Sequence, residues 1–253
     1  MTARPFSRWQ ASGLRLAISA ALAVAWLALL QGLWFPGPLF GAAGGQGLFY
    51  LLLGVDLVLG PLLTLIVFRS GKSGMKFDLV VLGAVQFAAL AYALSVVSLA
   101  RPAFVVFVLD RFELVTAVDL KPDELQAARY EEFRSVPWSG PRLAAADLPT
   151  DPAERQHLVE LSAAGIDVQH FPRYYVPYAE RTKQALARAV TIARLRESDP
   201  VTAKAVDAWL GSSGTKEGDV RALLLRTRFA WIAVLVDPQN AQPVKYLLGE
   251  RIE

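Results

Sequence analysis

The chain of 253 residues contains no cysteine and only two histidines. The first absence excludes disulfides, thiolate catalysis, Cys-ligated zinc and iron–sulfur clusters together. The second leaves His157 and His170, in different elements, as the whole imidazole supply, too sparse to read as a metal pair. No GxSxG, HExxH, GxGxxG or Walker pattern occurs, and the short basic stretch RSGKSGMKFD lacks the spacing of a phosphate-binding loop. Asp110, Asp119, Asp123, Glu131 and Glu132 read as ordinary solvated acids. Catalytic, cofactor-binding and metal sites are therefore all expected to be none, and the chain is read as a non-enzyme. The lack of cysteine does not choose a compartment, because a domain of about 150 residues can bury enough core without staples.

Charge is also scarce where the chain begins. Residues 1–100 hold six Lys/Arg and two Asp/Glu, whereas the remaining residues are nearly neutral overall. The sequence pI of about 9.2 thus comes from arginines and lysines beside apolar runs, and no nucleic-acid surface is indicated. Hydrophobic residues make up 54% of the chain and concentrate in the first hundred, the pattern of an integral membrane protein with an appended soluble part.

Three apolar runs are each long enough, at about 20 residues, to cross a hydrocarbon core: 14–35, 48–68 and 79–100. Arg4, Arg8 and Arg15 precede or open the first, and Arg69, Lys72 and Lys76 separate the second from the third. The 36–46 loop carries no charge. The positive-inside rule then places residues 1–13 in the cytoplasm, makes 14–100 a three-helix membrane region, and puts 101–253 outside. The first run exceeds the usual 7 to 15 residues of a signal-peptide core and is followed by further spans, so it is expected to be retained despite the small residues Gly41-Ala42-Ala43. The 36–46 loop reads either as a tight re-entry turn or as a close-approach surface for another helix or for the soluble domain. Asp78 suits the start of the third helix, where a carboxylate meets unpaired amides.

Within the second run, LLLGVDLVLGPLLTLIVF, Asp56 stands alone. An ionised carboxylate at mid-membrane costs roughly 2.5 to 3.5 kcal/mol on insertion scales. Protonation inside the bundle, a partner's membrane helix or a proton path would each relieve that cost. Gln86, Tyr92 and Gln31 are polar groups of the other spans, Gln86 being nearest in depth. Gly60 and Pro61 mark an expected kink that could open a seat beside the acid.

After Arg101-Pro102, the run AFVVFVL, an Asp110-Arg111 turn and 112–118 read as a β-hairpin. A short helix is expected from Lys121 to about Phe133, loop over 136–149, a helix from Thr150 to Gly165, and the longest soluble helix over 177–196. Another helix should start at Ser198-Asp199-Pro200 and end at Gly211, and a closing hairpin joins FAWIAVLV to PVKYLL. Strands at both ends and helices between imply an α+β domain whose hairpins join in one antiparallel sheet. The segment HFPRYYVPY, with Phe171, Tyr174 and Tyr175, reads either as rings wedged into the core or as an aromatic recognition surface.

Arg8-Trp9 with Ser12-Gly13, Trp34-Phe35-Pro36-Gly37-Pro38-Leu39, Gly54-Val55-Asp56 with Gly60-Pro61-Leu62, and Arg101-Pro102 with Phe104 resemble the TfpX/TfpZ family of type IV pilin accessory proteins. The resemblance spans the chain, with its specific motifs in the membrane half. It implies a multi-pass protein of the Gram-negative inner membrane with its C-terminal domain in the periplasm. It further implies a chaperone-like, non-catalytic role in pilus assembly or function, with the major pilin as partner in the lipid bilayer. Under it, Asp56, Gly60, Pro61 and Gln86 become candidate contacts for the pilin's membrane helix, and Phe171, Tyr174 and Tyr175 for its head. A membrane-anchored sensory or envelope-assembly subunit without pilin specificity is the alternative.

Overall fold

The computed structural model describes residues 8–54, 58, 60–67 and 75–251, which fall into two compact units. The chain passes between them at 33/34, 44/45 and 99/100.

The first unit is helical. Helix Arg8–Leu29 continues through a π-helical stretch, Leu30–Trp34, whose last residue belongs to the second unit. Gly45–Gly54, Gly60–Val67 and Met75–Ala100 follow. Two stretches among the described residues are long and apolar enough to cross a membrane, Ser12–Trp34 and Val80–Ala100. They match two of the three expected spans. The expected 48–68 span is represented by Gly45–Gly54 and Gly60–Val67, with Asp56 outside the described residues. Leu14, Leu16, Ile18, Val80, Val85 and Phe87 are all exposed on the long helices, an exterior suited to hydrocarbon rather than water. On Met75–Ala100, two hydroxyls fold back on their own backbone: Ser95 donates to the Tyr92 carbonyl at 2.7 Å and Ser98 to that of Ser95 at 2.8 Å.

The second unit takes Ala100 onward together with Trp34–Gly44. Its seven strands are β1 (Pro102–Val108), β2 (Arg111–Thr116), β3 (Arg142–Ala146), β4 (Tyr175–Pro177), β5 (Arg221–Arg226), β6 (Ala230–Val236) and β7 (Pro243–Arg251), in the order β4-β3-β1-β2-β5-β6-β7. Both expected hairpins are present and share one sheet. That sheet is mixed rather than antiparallel, because β1 runs parallel to β3 and β2 parallel to β5. Each parallel pair is separated in sequence by helices and turns, the crossover that parallel neighbours require.

β1 is buried at every position, consistent with its nearly unbroken apolar sequence. Phe104, Val106 and Val108 face one side, with Leu125, Phe133, Leu158 and Val168. Val105 and Phe107 face the other, with Phe112, Tyr178, Ala185, Ile232 and Val234. Further along the sheet, Ala233 and Leu235 pack with Ile192, Leu195, Ala203 and Val206.

The central seam between β2 and β5 is short, pairing Phe112 with Leu225 and Glu113 with Arg226. Beyond it, Val190 takes the place along β5 that β2 does not reach, exchanging both backbone hydrogen bonds with Ala222 at 2.9 Å. That exchange breaks the expected 177–196 helix into Thr182–Arg188 and Ile192–Ser198, the second N-capped by Thr191. The longest helix of this unit is instead Pro200–Ser213, which runs past Gly211 and stops at Gly214 with φ +72°. The expected 121–133 helix ends at Gln126, with a separate 3-10 turn at Glu131–Phe133. The Pro152–Ser162 helix agrees with expectation, capped by the Asp151 carboxylate, which accepts from the Glu154 N–H.

Candidate functional site

In the helical unit, the expected residues Gly60, Pro61 and Gln86 do come together, but around a residue that sequence reasoning counted only as a flanking charge. The Arg15 guanidinium donates to Gln86 Oε1, and Ser12 Oγ donates to the Pro61 carbonyl at 3.1 Å. Thr64 Oγ1 donates to the Gly60 carbonyl at 2.9 Å. A Cβ at Gly60 would meet the amide end of the Gln86 side chain, a flexible group that can swing aside. Ser12 and Arg15 are three residues apart on one helical face, a spacing that could have flagged them as a pair. Of the other proposed polar groups, Tyr92 is exposed on Met75–Ala100, and Gln31 is exposed in the π-helical stretch.

The aromatic segment of the second unit divides. Tyr175 is fully buried on β4, its ring edge-on to Phe104 at 5.3 Å and Phe133 at 5.5 Å, and its hydroxyl donates to the Gln169 carbonyl. Burial pushes its pKa well above the tyrosine value. Tyr178 is also buried and donates to the Ala241 carbonyl at 2.8 Å. Phe171 and Tyr174 are half-buried, their rings 6.3 Å apart and inclined at 67°. Wedged rings thus account for Tyr175, and surface remains at Phe171 and Tyr174.

Phe171 lines a cleft of 450 Å³ with His157, His170, Leu161, Ile166 and Glu124. The fold therefore brings both histidines to one cleft, which their separation in sequence did not reveal. His170 Nδ1 accepts from the Asp167 N–H at 3.1 Å. Glu124 is held by the Arg173 guanidinium, with Nε donating to Oε2 at 2.6 Å. Among the described residues, no group of three or more His, Cys, Asp or Glu is placed to hold a metal ion. Asp119, expected to be simply solvated, accepts from the Thr116 N–H and hydroxyl at 2.9 and 2.5 Å and caps the turn after β2.

A second cleft, of 360 Å³, lies where the β1–β2 hairpin, the Pro152–Ser162 helix and the end of β5 meet. Its floor is a buried carboxylate shared by two arginines, since Glu113 accepts from Arg111 Nε and Arg226 Nε at 2.9 Å each. Hydrogen bonding to Glu113 raises the Arg111 pKa further above its ordinary value. Glu113 is 8% exposed at its side chain, whereas the arginines are 40% and 39% exposed. The triad also clamps the two-residue seam between β2 and β5. Glu113→Ala would leave two like charges facing each other, and we expect a loss of about 2 kcal/mol in urea unfolding, below the full buried-pair range because solvent screens the arginines. A change under 0.5 kcal/mol would show that the clamp contributes little.

Among the described residues, two helices long and apolar enough to cross a membrane stand beside a mixed-sheet α+β domain in the one chain, an arrangement that suits a membrane anchor with an appended domain. The chain is 32% identical over 187 residues to the fimbrial assembly protein of serogroup I from Dichelobacter nodosus, a match covering 72% of each chain. The serogroup E1 protein of that organism matches to the same extent. The protein of serogroups C1 and C2 is 33% identical over 121 residues, 46% of this chain and 91% of that one. No family model matches the chain, and no solved structure matches it. The chain belongs to the family of these fimbrial assembly proteins.

Proposed function

We propose that the chain is a non-catalytic accessory protein of the bacterial inner membrane that binds type IV pilin and supports its stability or its assembly into pili. The observation that carries this reading is the 32% identity, over 72% of the chain, to a protein described as acting in fimbrial assembly. The charge pattern supports three spans with the N-terminus cytoplasmic and the mixed-sheet domain periplasmic, because the basic residues flank alternate ends of the apolar runs. A pilin anchored by one apolar helix with a periplasmic head offers two surfaces. Linking a membrane contact to a head contact raises the effective concentration of the second, so two weak contacts suffice. In this reading Asp56, four residues before Gly60 in the sequence, meets polar groups of the pilin helix.

Deleting the gene is expected to lower surface pili and cell-associated pilin, with restoration by the intact gene. Asp56→Asn is expected to reduce co-purification of pilin while leaving the chain's own level unchanged. Normal pili in the deletion strain would sink the reading, and unchanged co-purification would remove Asp56 from it.

A further inference from the structure

The 360 Å³ cleft combines three features. The first is Leu109, whose φ of +55° and 63% exposure place a large apolar side chain at the first position of the two-residue β1–β2 turn, where glycine is the rule. The turn is closed by the Asp110 N–H donating to the Val108 carbonyl at 2.6 Å. A backbone strained in this way persists only where its surroundings impose it, and such residues cluster at binding sites. The second is an apolar rim, with Leu148 and Val159 exposed beside Leu109 around the same opening. The third is the floor. Arg111 and Arg226 spend their Nε groups on Glu113, while their terminal nitrogens form longer ion pairs, 3.7 Å to Asp110 and 3.8 Å to Asp167, that leave hydrogen-bonding capacity on both sides. Donors and acceptors therefore both face the cleft.

We propose that this cleft is the docking site for an extended segment of the fimbrial subunit's folded head, an assignment that rests on the functional reading above. The lining carries as many arginines as carboxylates, Arg111, Arg155 and Arg226 against Asp110, Glu113 and Asp167. An anionic lipid headgroup or a phosphate would add uncompensated negative charge. A polypeptide main chain adds none, and it supplies carbonyls to the arginines and N–H groups to the aspartates. An apolar side chain of the segment fills the rim between Leu109, Leu148 and Val159. The unusual cost of leucine at a left-handed turn position is then a binding feature maintained against local stability.

The test uses the full chain in lipid nanodiscs and the purified fimbrial subunit of the same cell. Leu109→Gly relieves the turn, so its melting temperature is expected to equal or exceed that of the wild type, while affinity for the subunit falls about tenfold. Val159→Glu, on an exposed helical position, is expected to weaken binding likewise. A purely structural role for Leu109 would move stability and affinity in the same direction. If the wild type binds and both variants bind equally well, the site is overturned and the functional reading stands. If the wild type fails to bind the subunit, the functional reading fails and this occupant with it. If Leu109→Gly abolishes concentration-dependent self-association but not subunit binding, the cleft belongs to a second copy and the proposal is overturned.

Discussion

Replacing Phe104 by alanine is expected to destabilise the mixed-sheet domain by about 4 kcal/mol, within the range for a fully buried phenylalanine. Phe104 is completely buried on β1, a strand buried at every position. Its ring lies edge-on to Phe133 at 6.0 Å and to Tyr175 at 5.3 Å, and those two rings contact each other at 5.5 Å. Truncation removes one side of a three-ring cluster whose other members sit on separate elements. The cavity cannot close without moving the 3-10 turn at Glu131–Phe133 or strand β4. At about 2 to 4 °C per kcal/mol for a domain this size, the melting temperature should fall on the order of 10 °C. Phe104→Leu, which keeps most of the volume, should cost well under half as much. Equal effects of the two substitutions would mean that the ring geometry contributes nothing beyond apolar bulk. The result also bears on function, because Tyr175 shares its segment with Phe171 and Tyr174. Loosening the cluster should disturb the aromatic surface without touching any of its exposed atoms.

What the sequence made legible was local. The β1–β2 hairpin stood out because an apolar run of β-branched and aromatic residues is bounded by Arg101-Pro102 and the Asp110-Arg111 pair, although the turn itself falls one residue earlier, at Leu109-Asp110. The Pro152 helix announced itself through Asp151, Pro152 and the left-handed Gly165. Strand β3 did not, because Arg142–Ala146 is alanine-rich, lies among prolines and glycine, and becomes a strand by fitting between β1 and β4. The break at Ala189–Val190 is likewise a tertiary effect, since the apolar spacing through that region is helical and only the open stretch of β5 makes an extended residue favourable. Parallel pairing was invisible for the same reason, being a property of connections rather than of any strand. At the candidate sites, Gly60, Pro61 and Gln86 were found as types out of place in an apolar run. Arg15 was overlooked because a charge near a helix end is ordinary. The Glu113 triad was overlooked because Arg226 lies on β5, far along the chain from Arg111 and Glu113 on β2, and β5 had not been recognised.

Leu39→Asp is expected to damage the mixed-sheet domain as severely as a substitution inside its own sheet, although Leu39 lies more than sixty residues before that sheet begins. Leu39 and Ala42 are 2% and 1% exposed and belong to the same cluster as Val105, Phe107, Leu223 and Ile232. The Thr227 hydroxyl donates to the Ala42 carbonyl at 2.7 Å. Gly44, at φ +78°, leaves so little room that a Cβ would stand 2.6 Å from the Phe229 ring. At the other end of the segment, Trp34 is buried edge-on to Trp138 at 5.9 Å with the Arg101 guanidinium 5.7 Å from its ring centre. The uncharged 34–44 stretch is thus core of the second unit, which decides between a bare re-entry turn and a close-approach segment in favour of the latter. An unpaired carboxylate at position 39 should cost on the order of 4 kcal/mol, through lost burial and desolvated charge, whereas Val118→Asp, at an exposed position, should stay within about 0.5 kcal/mol. Residues 101–253 expressed alone should accordingly expose apolar surface and aggregate unless 34–44 is restored. If that fragment folds with the stability of the domain in the full chain, the segment is dispensable. If it does not, the 34–44 segment is an integral part of the domain's core.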